Sequence, residues 1–293
     1  VPPGALALVV LAGLIHASWN IAAKKAGGDV RFATLTSVVL TIGWAPVGVW
    51  LVVKHVPSFG WREWAVIAAS AVLHLVYYLT LLRGYRRADL TVVYPLARGS
   101  GPLLSSACAI ALFGEHLSAA GAFGIVGVVT GVFLIAGGPR LWRGPHDREA
   151  RARLRKGISY GLVTGAFIAS YTVVDGYAVK VMLMSPLLLE YVVNALRLLI
   201  VVPMTAHDLP GLAAAWRSQR KYILFVGMVS PVSYVLVLYA MQSAPLSHVA
   251  PAREVSMLFA ALIGGQLLGE GDRWLRLAGA ALIAAGVMAL AMG

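Results

Sequence analysis

Apolar runs of roughly membrane-spanning length alternate with short polar clusters along the whole chain. Ten such runs are read, at roughly 4–24, 32–53, 63–84, 90–112, 117–137, 157–179, 186–205, 221–242, 246–268 and 273–291. About 20 apolar residues let a helix cross the hydrocarbon, and a helix satisfies its own backbone groups where no water can. The alternation of a membrane β-strand is missing from these runs. The pattern therefore predicts an all-α membrane protein of ten transmembrane helices. The opening "VPPGALALVVLAGL" lacks the basic flank of a leader and runs on without a cleavage site, so it is read as the first span.

The longest polar segment, "GGPRLWRGPHDREARARLRKG" at 137–157, divides the spans five and five. The expected units are an N-terminal repeat at 1–137, a basic linker at 138–156 and a C-terminal repeat at 157–293. The halves resemble each other: "YLTLLRGYRRADLTVVYPLAR" keeps the spacing of "YVLVLYAMQSAPLSHVAPAR", with one residue fewer between Pro251 and Arg253 than between Pro95 and Arg98. Because each half holds an odd number of spans, the second enters the bilayer from the opposite side. Two inverted five-helix repeats are predicted, an architecture common among secondary transporters.

Composition agrees with the pattern: 59% of residues are hydrophobic and only 12% charged, about half the charge of a soluble domain. The net charge of +12 would suggest nucleic acid on a soluble face, but the cations sit in short connections. Odd-numbered loops carry Lys24, Lys25, Arg31, Arg83, Arg86, Arg87, the arginines of the linker, Arg217, Arg220, Lys221, Arg273 and Arg276, whereas even-numbered loops carry Lys54, Arg62 and Lys180. Basic loops stay cytoplasmic. The linker is thus expected inside and both termini outside, with the lipid bilayer and not a nucleic acid as the large partner. The single cysteine, Cys108, excludes an intrachain disulfide and a Cys-based zinc cluster. No HExxH, P-loop, Ser/His or paired-Asp motif is present. Neither an enzyme nor a cofactor or metal site is expected, and nothing demands more than a monomer.

Five spans twice over, each half ending in Pro-(x)-x-Arg, then "FGE" or "LGE", then a Gly-rich last span ("GAFGIVGVVTGVFLIAGG", "LAGAALIAAGVMALAMG"), resemble the EamA-type drug/metabolite transporter superfamily. Within it the sequence looks most like bacterial amino-acid exporters of the YddG type. The resemblance implies a multi-pass protein of the bacterial inner membrane that exports small metabolites by alternating access. It also implies that the first four spans of each half line the pathway and the fifth spans act as scaffold. Gly127 and Gly131, one turn apart, suit that scaffold role by allowing close helix approach.

Ionisable residues inside a span are costly and face a cavity or one another. Arg98 lies about eight residues into its span, on the order of 12 Å at the helical rise, and Arg253 lies about as deep from the other face. Pro95, Pro102 and Pro251 loosen the backbone beside them. The two arginines either build a site or pair with carboxylates such as Glu190 or Glu254. Glu190, Asn194 and Arg197 share one helix face, lining the pathway or forming an internal network. His16 and Asn20, one turn apart beside Trp19, and His74 are further candidates. Tyr77, Tyr78, Tyr94, Tyr171, Tyr191, Tyr234 and Tyr239 offer ring faces, with Tyr78 and Tyr234 at equivalent repeat positions. Such a set suits a small zwitterion: Arg for the carboxylate, Glu190 or rings for the ammonium, and apolar walls for the side chain. Export of neutral and aromatic amino acids is the leading expectation. Another metabolite or drug, or less readily a polytopic enzyme, is the alternative.

Overall fold

A computed structural model describes residues 1–27, 29–88, 90–135, 148–268 and 273–293, and among these the chain forms helices and no strand. The N-terminal half holds α1 (Pro3–Ala26), α2 (Val30–Gly43), α3 (Ala45–His55), a 3-10 turn (Val56–Ser58), α4 (Trp61–Arg87), α5 (Leu90–Phe113) and α6 (Ala119–Ile135). The C-terminal half holds α7 (Arg148–Lys180), α8 (Pro186–Thr205), α9 (Leu209–Ser243), α10 (Leu246–Ala252), α11 (Val255–Leu268) and α12 (Arg273–Met292).

The structure breaks two of the expected spans. The second bends by 67° at Trp44, between α2 and α3. Pro46, in the first turn of α3, lacks the N–H that would have continued the helix. The ninth ends at Ala252 and resumes at Val255, leaving Arg253 and Glu254 in the turn between. Among the described residues six helices are long and apolar enough to cross a membrane, and the bent pair would make a seventh. α6 and the apolar part of α12, Leu277–Met292, are shorter.

Polar connections are more helical than the charge pattern suggests. α9 starts at Leu209, twelve residues before the expected edge, because Asp208 caps it by accepting from the Gly211 N–H at 3.1 Å and Ala, Arg, Gln and Lys are good helix formers. Residues 148–156 of the expected linker form the first turns of α7. Its remaining residues, and the Gly-Glu at 269–270, lie outside the described residues.

The two Gly-rich helices meet backbone to backbone. A Cβ on Gly131 would stand 2.6 Å from the Gly279 carbonyl oxygen, and one on Gly279 would stand 2.7 Å from that of Gly131. Without side chains between them, α6 and α12 reach the contact that drives helix association in lipid. The main apolar core runs through α1, α4, α7, α8, α9, α10 and α12, with Val9, Ile67, Val179, Leu189, Leu238 and Ile283 all buried. Large apolar side chains such as Val53, Trp61, Phe123, Leu199 and Met288 are exposed on the outer surface. That surface matches lipid.

Candidate functional site

The break between α10 and α11 follows from Pro251. Proline offers no N–H to the carbonyl of Ser247 four residues earlier; the Ser106 hydroxyl donates to that oxygen instead, at 2.8 Å. α11 then starts against α1 at Gly13, where a Cβ would collide with Val255 Cγ1 at 2.4 Å. This delivers Arg253, Glu254 and Ser256 to the level of His16. On the opposite side α5 is drawn onto α7, where a Cβ on Gly165 would meet Ser100 Oγ at 1.9 Å. Arg98 thereby faces the α10–α11 turn.

Arg98 Nη2 lies 2.9 Å from Glu254 Oε2 and donates to Ser256 Oγ at 3.0 Å. Of the two arrangements open to Arg98, the structure shows the pairing one, because the break places a carboxylate next to it. Arg253 is different. It is only 6% exposed, its Nε, like that of Arg98, is buried without a partner, and its side chain makes no hydrogen bond or ion pair among the described residues, although Glu254 lies within electrostatic reach. A buried guanidinium holds five donors that must be met.

A second cluster stands beside this turn. On α7, Tyr171 stacks on His74 of α4 with ring centroids 4.1 Å apart, and meets Tyr77 at 5.6 Å and Tyr234 of α9 at 6.3 Å. The Tyr234 hydroxyl donates to Asp175 Oδ2, and His74 Nε2 lies 3.8 Å from the same oxygen. Asp175 is 1% exposed. Sequence reasoning missed it. The available signal was a carboxylate one turn after Tyr171 in an apolar run. Of the neighbouring tyrosines, Tyr77 joins the rings, while Tyr78 is half-buried outside them.

The face of α8 divides. Asn194 is buried against α2, its amide donating to Ser37 O at 3.3 Å and Thr41 Oγ1 at 2.9 Å, while its Oδ1 accepts from Arg197 at 2.7 Å. Its side chain belongs to an internal hydrogen-bond network. Glu190 and Arg197 are half-buried on either side of it. On α1, Asn20 donates to the His16 carbonyl of its own helix at 2.9 Å, which leaves its amide engaged. The His16 ring meets Trp19 edge-on at 4.7 Å, within electrostatic range of Arg98 and Arg253. His16, Trp19, Tyr78, Glu190, Arg197 and Tyr234 are all half-buried. Of these, His16 and Tyr234 lie within electrostatic reach of Arg253, while Glu190 and Tyr78 lie within reach of Arg197.

The "FGE" stretch closes one end of the bundle. Gly114 takes φ +64°, turning the chain so that Glu115 reaches across to α10. Its Oε1 accepts from Lys180 Nζ and Leu246 N, and its Oε2 accepts from Ser247 N, each at 2.8 Å. Burial alone would raise the Glu115 carboxyl, but these donors hold it below its usual range. At the other end, Arg31 pairs with Asp208, whose carboxyl the Gly211 N–H and then the guanidinium hold low. A groove of about 750 Å³ between α4, α5 and α7 is apolar apart from Tyr177 and Lys180 and is lined by none of the candidate residues.

A buried guanidinium with no side-chain hydrogen bond among the described residues, within electrostatic reach of Tyr171, Tyr234 and Glu254, can hold a small anion or the carboxylate of a zwitterion. Among the described residues no group of three or more His, Cys, Asp or Glu could hold a metal ion. A solved structure described only as the crystal structure of a protein superposes with a TM-score of 0.75 over 98% of both chains at 16% identity. At that identity the likeness shows the fold. No curated protein matches. Two segments that span nearly the whole sequence, residues 3–137 and 155–292, each match the EamA-like transporter family. The chain is a multi-pass membrane protein of the EamA-like transporter family, a family of small-solute transporters and not of enzymes.

Proposed function

We propose that this transporter exports small neutral amino acids, with aromatic and other apolar side chains favoured, in the manner of the YddG type. The observation that carries the reading is Arg253, buried in the turn between α10 and α11 with no side-chain hydrogen bond or ion pair among the described residues. A carboxylate is the group that a guanidinium binds best, through paired charge-assisted hydrogen bonds. Glu190 and the ring faces suit the ammonium, and the surrounding apolar side chains suit the rest of the solute. A sugar would need many paired hydroxyls, each costing roughly 1–3 kcal/mol if desolvated unpaired.

The reading includes ten spans in two inverted repeats, with α2–α3 and α10–α11 each taken as one broken span. Broken helices beside a central site are a recurring transporter feature. By the cation asymmetry of the loops, the end with Glu115 and both termini faces outward from a bacterial inner membrane. Counterflow in proteoliposomes tests the substrate. Excess phenylalanine or methionine should suppress entry of a labelled amino acid, and Arg253→Gln should abolish that entry while the protein still purifies as a folded species. Competition by a sugar and not by amino acids would transfer the assignment to another metabolite.

A further inference from the structure

Asp175 is a buried carboxylate with too few donors. Oδ2 accepts from the Tyr234 hydroxyl, whereas Oδ1 is buried with no partner. His74 faces it in a fixed tautomer. Its Nδ1 lies 2.9 Å from the Ser70 carbonyl oxygen, which can only accept, so Nδ1 carries the hydrogen of the neutral ring. Nε2 then turns a lone pair toward Asp175 Oδ2 across 3.8 Å. Two acceptors facing each other away from water are favourable when a proton sits on one of them.

Other groups face the pair from each neighbouring helix. Ser70 lies one turn before His74 on α4, Tyr171 stands on α7 itself and Tyr234 on α9. Arg253, in the α10–α11 turn, lies within electrostatic reach of both members. From α8, Arg197 reaches His74 and Glu190 reaches Asp175. Arg98 of α5 acts on Tyr171 but is engaged with Glu254. The rings already cover His74: Tyr171 stacks on one face, and Tyr234 meets it edge-on at 5.7 Å. This packing admits a proton.

We propose that Asp175 and His74 form a proton-binding site through which solute export is exchanged for proton entry. One proton passes from water on one side to the Asp175 oxygen or His74 Nε2 and is later released to water on the other side; no other bond forms or breaks. The buried carboxylate needs one positive charge in either half of the cycle. The proton supplies it in the unloaded carrier, and in the loaded one the ammonium of an amino acid held at Glu190, which is within electrostatic reach of Asp175, supplies it through space, a step that rests on the amino-acid reading above. Loading therefore expels the proton.

Two measurements on the full chain test this separately. Acid-induced infrared difference spectra of the purified protein should contain a carboxylic-acid C=O band that Asp175→Asn removes. Tyr234→Phe, which deletes the hydroxyl donor to the carboxylate, should shift that band to appear at higher pH. In proteoliposomes holding a pH-sensitive dye, methionine should drive proton movement with the wild-type protein and none with Asp175→Asn. A band unchanged in both variants overturns the proton site. Methionine counterflow without proton movement in the wild type overturns the coupling and leaves the substrate reading intact. An Asp175-dependent band in a protein that does not exchange methionine leaves the proton site standing and removes the amino-acid reading.

Discussion

Glu115→Gln isolates one charge that ties the two halves together. Wild-type Glu115 accepts from the backbone N–H of Leu246 and of Ser247 and from Lys180, all at 2.8 Å, with its own side chain 8% exposed. A hydrogen bond to a charged group is worth about 1.5–3 kcal/mol. Glutamine can still accept one or two of these through its oxygen, but its NH₂ then faces an N–H donor. Lys180 is 29% exposed, so water replaces part of its lost partner and its share must be discounted. The expected loss is about 2–4 kcal/mol, read as a fall of several degrees in the unfolding midpoint of the purified protein in detergent. The pH arm carries a sign. Because the folded carboxyl titrates below its ordinary value of 4.5, its contribution is complete above that pH and disappears as pH falls through the lowered value. The wild type should therefore lose its advantage over Glu115→Gln in acid. Equal midpoints at pH 7, or a gap that persists unchanged in strong acid, would refute the reasoning.

Gly131→Ala pushes a Cβ to 2.6 Å from the Gly279 carbonyl, so α6 and α12 must part by several tenths of an ångström. The expected cost is about 1–3 kcal/mol, measured by thermal unfolding, with substrate preference in counterflow unchanged. Glu254→Ala leaves Arg98 with only the Ser256 hydroxyl and should destabilise by about 3–5 kcal/mol; a denaturation midpoint equal to the wild type would show that the pair is not a structural one. For orientation, a cysteine placed at the exposed Ser243 in a chain with Cys108→Ala should react with an impermeant thiol reagent on intact cells, while one at the exposed His207 should not. The reverse pattern would invert the topology and leave the fold standing.

Much of the architecture was legible in the sequence, because burying a backbone in lipid imposes a length and a composition that any apolar run displays. The apolar helices, the two repeated halves and the Gly-rich last helix of each half follow from that constraint and from the small residues that close packing needs. Arg98 and Arg253 stood out because a cation inside a span has to be explained locally. Their different states were not legible. Pairing for Arg98 and isolation for Arg253 depend on a helix break that Pro251 permits but that tertiary packing places, with Ser106 meeting the freed Ser247 carbonyl and Gly13 admitting Val255. For Asn194 the helical face allowed either pathway lining or an internal network, and only the arrival of α2 assigned its amide to Ser37 and Thr41. Asp175 gained its significance from His74 and Tyr234, about a hundred and about sixty residues away. The local pattern declares which side chains are costly in a membrane; which helix meets that cost is a long-range contact, and the spacing along one helix carries no information about it.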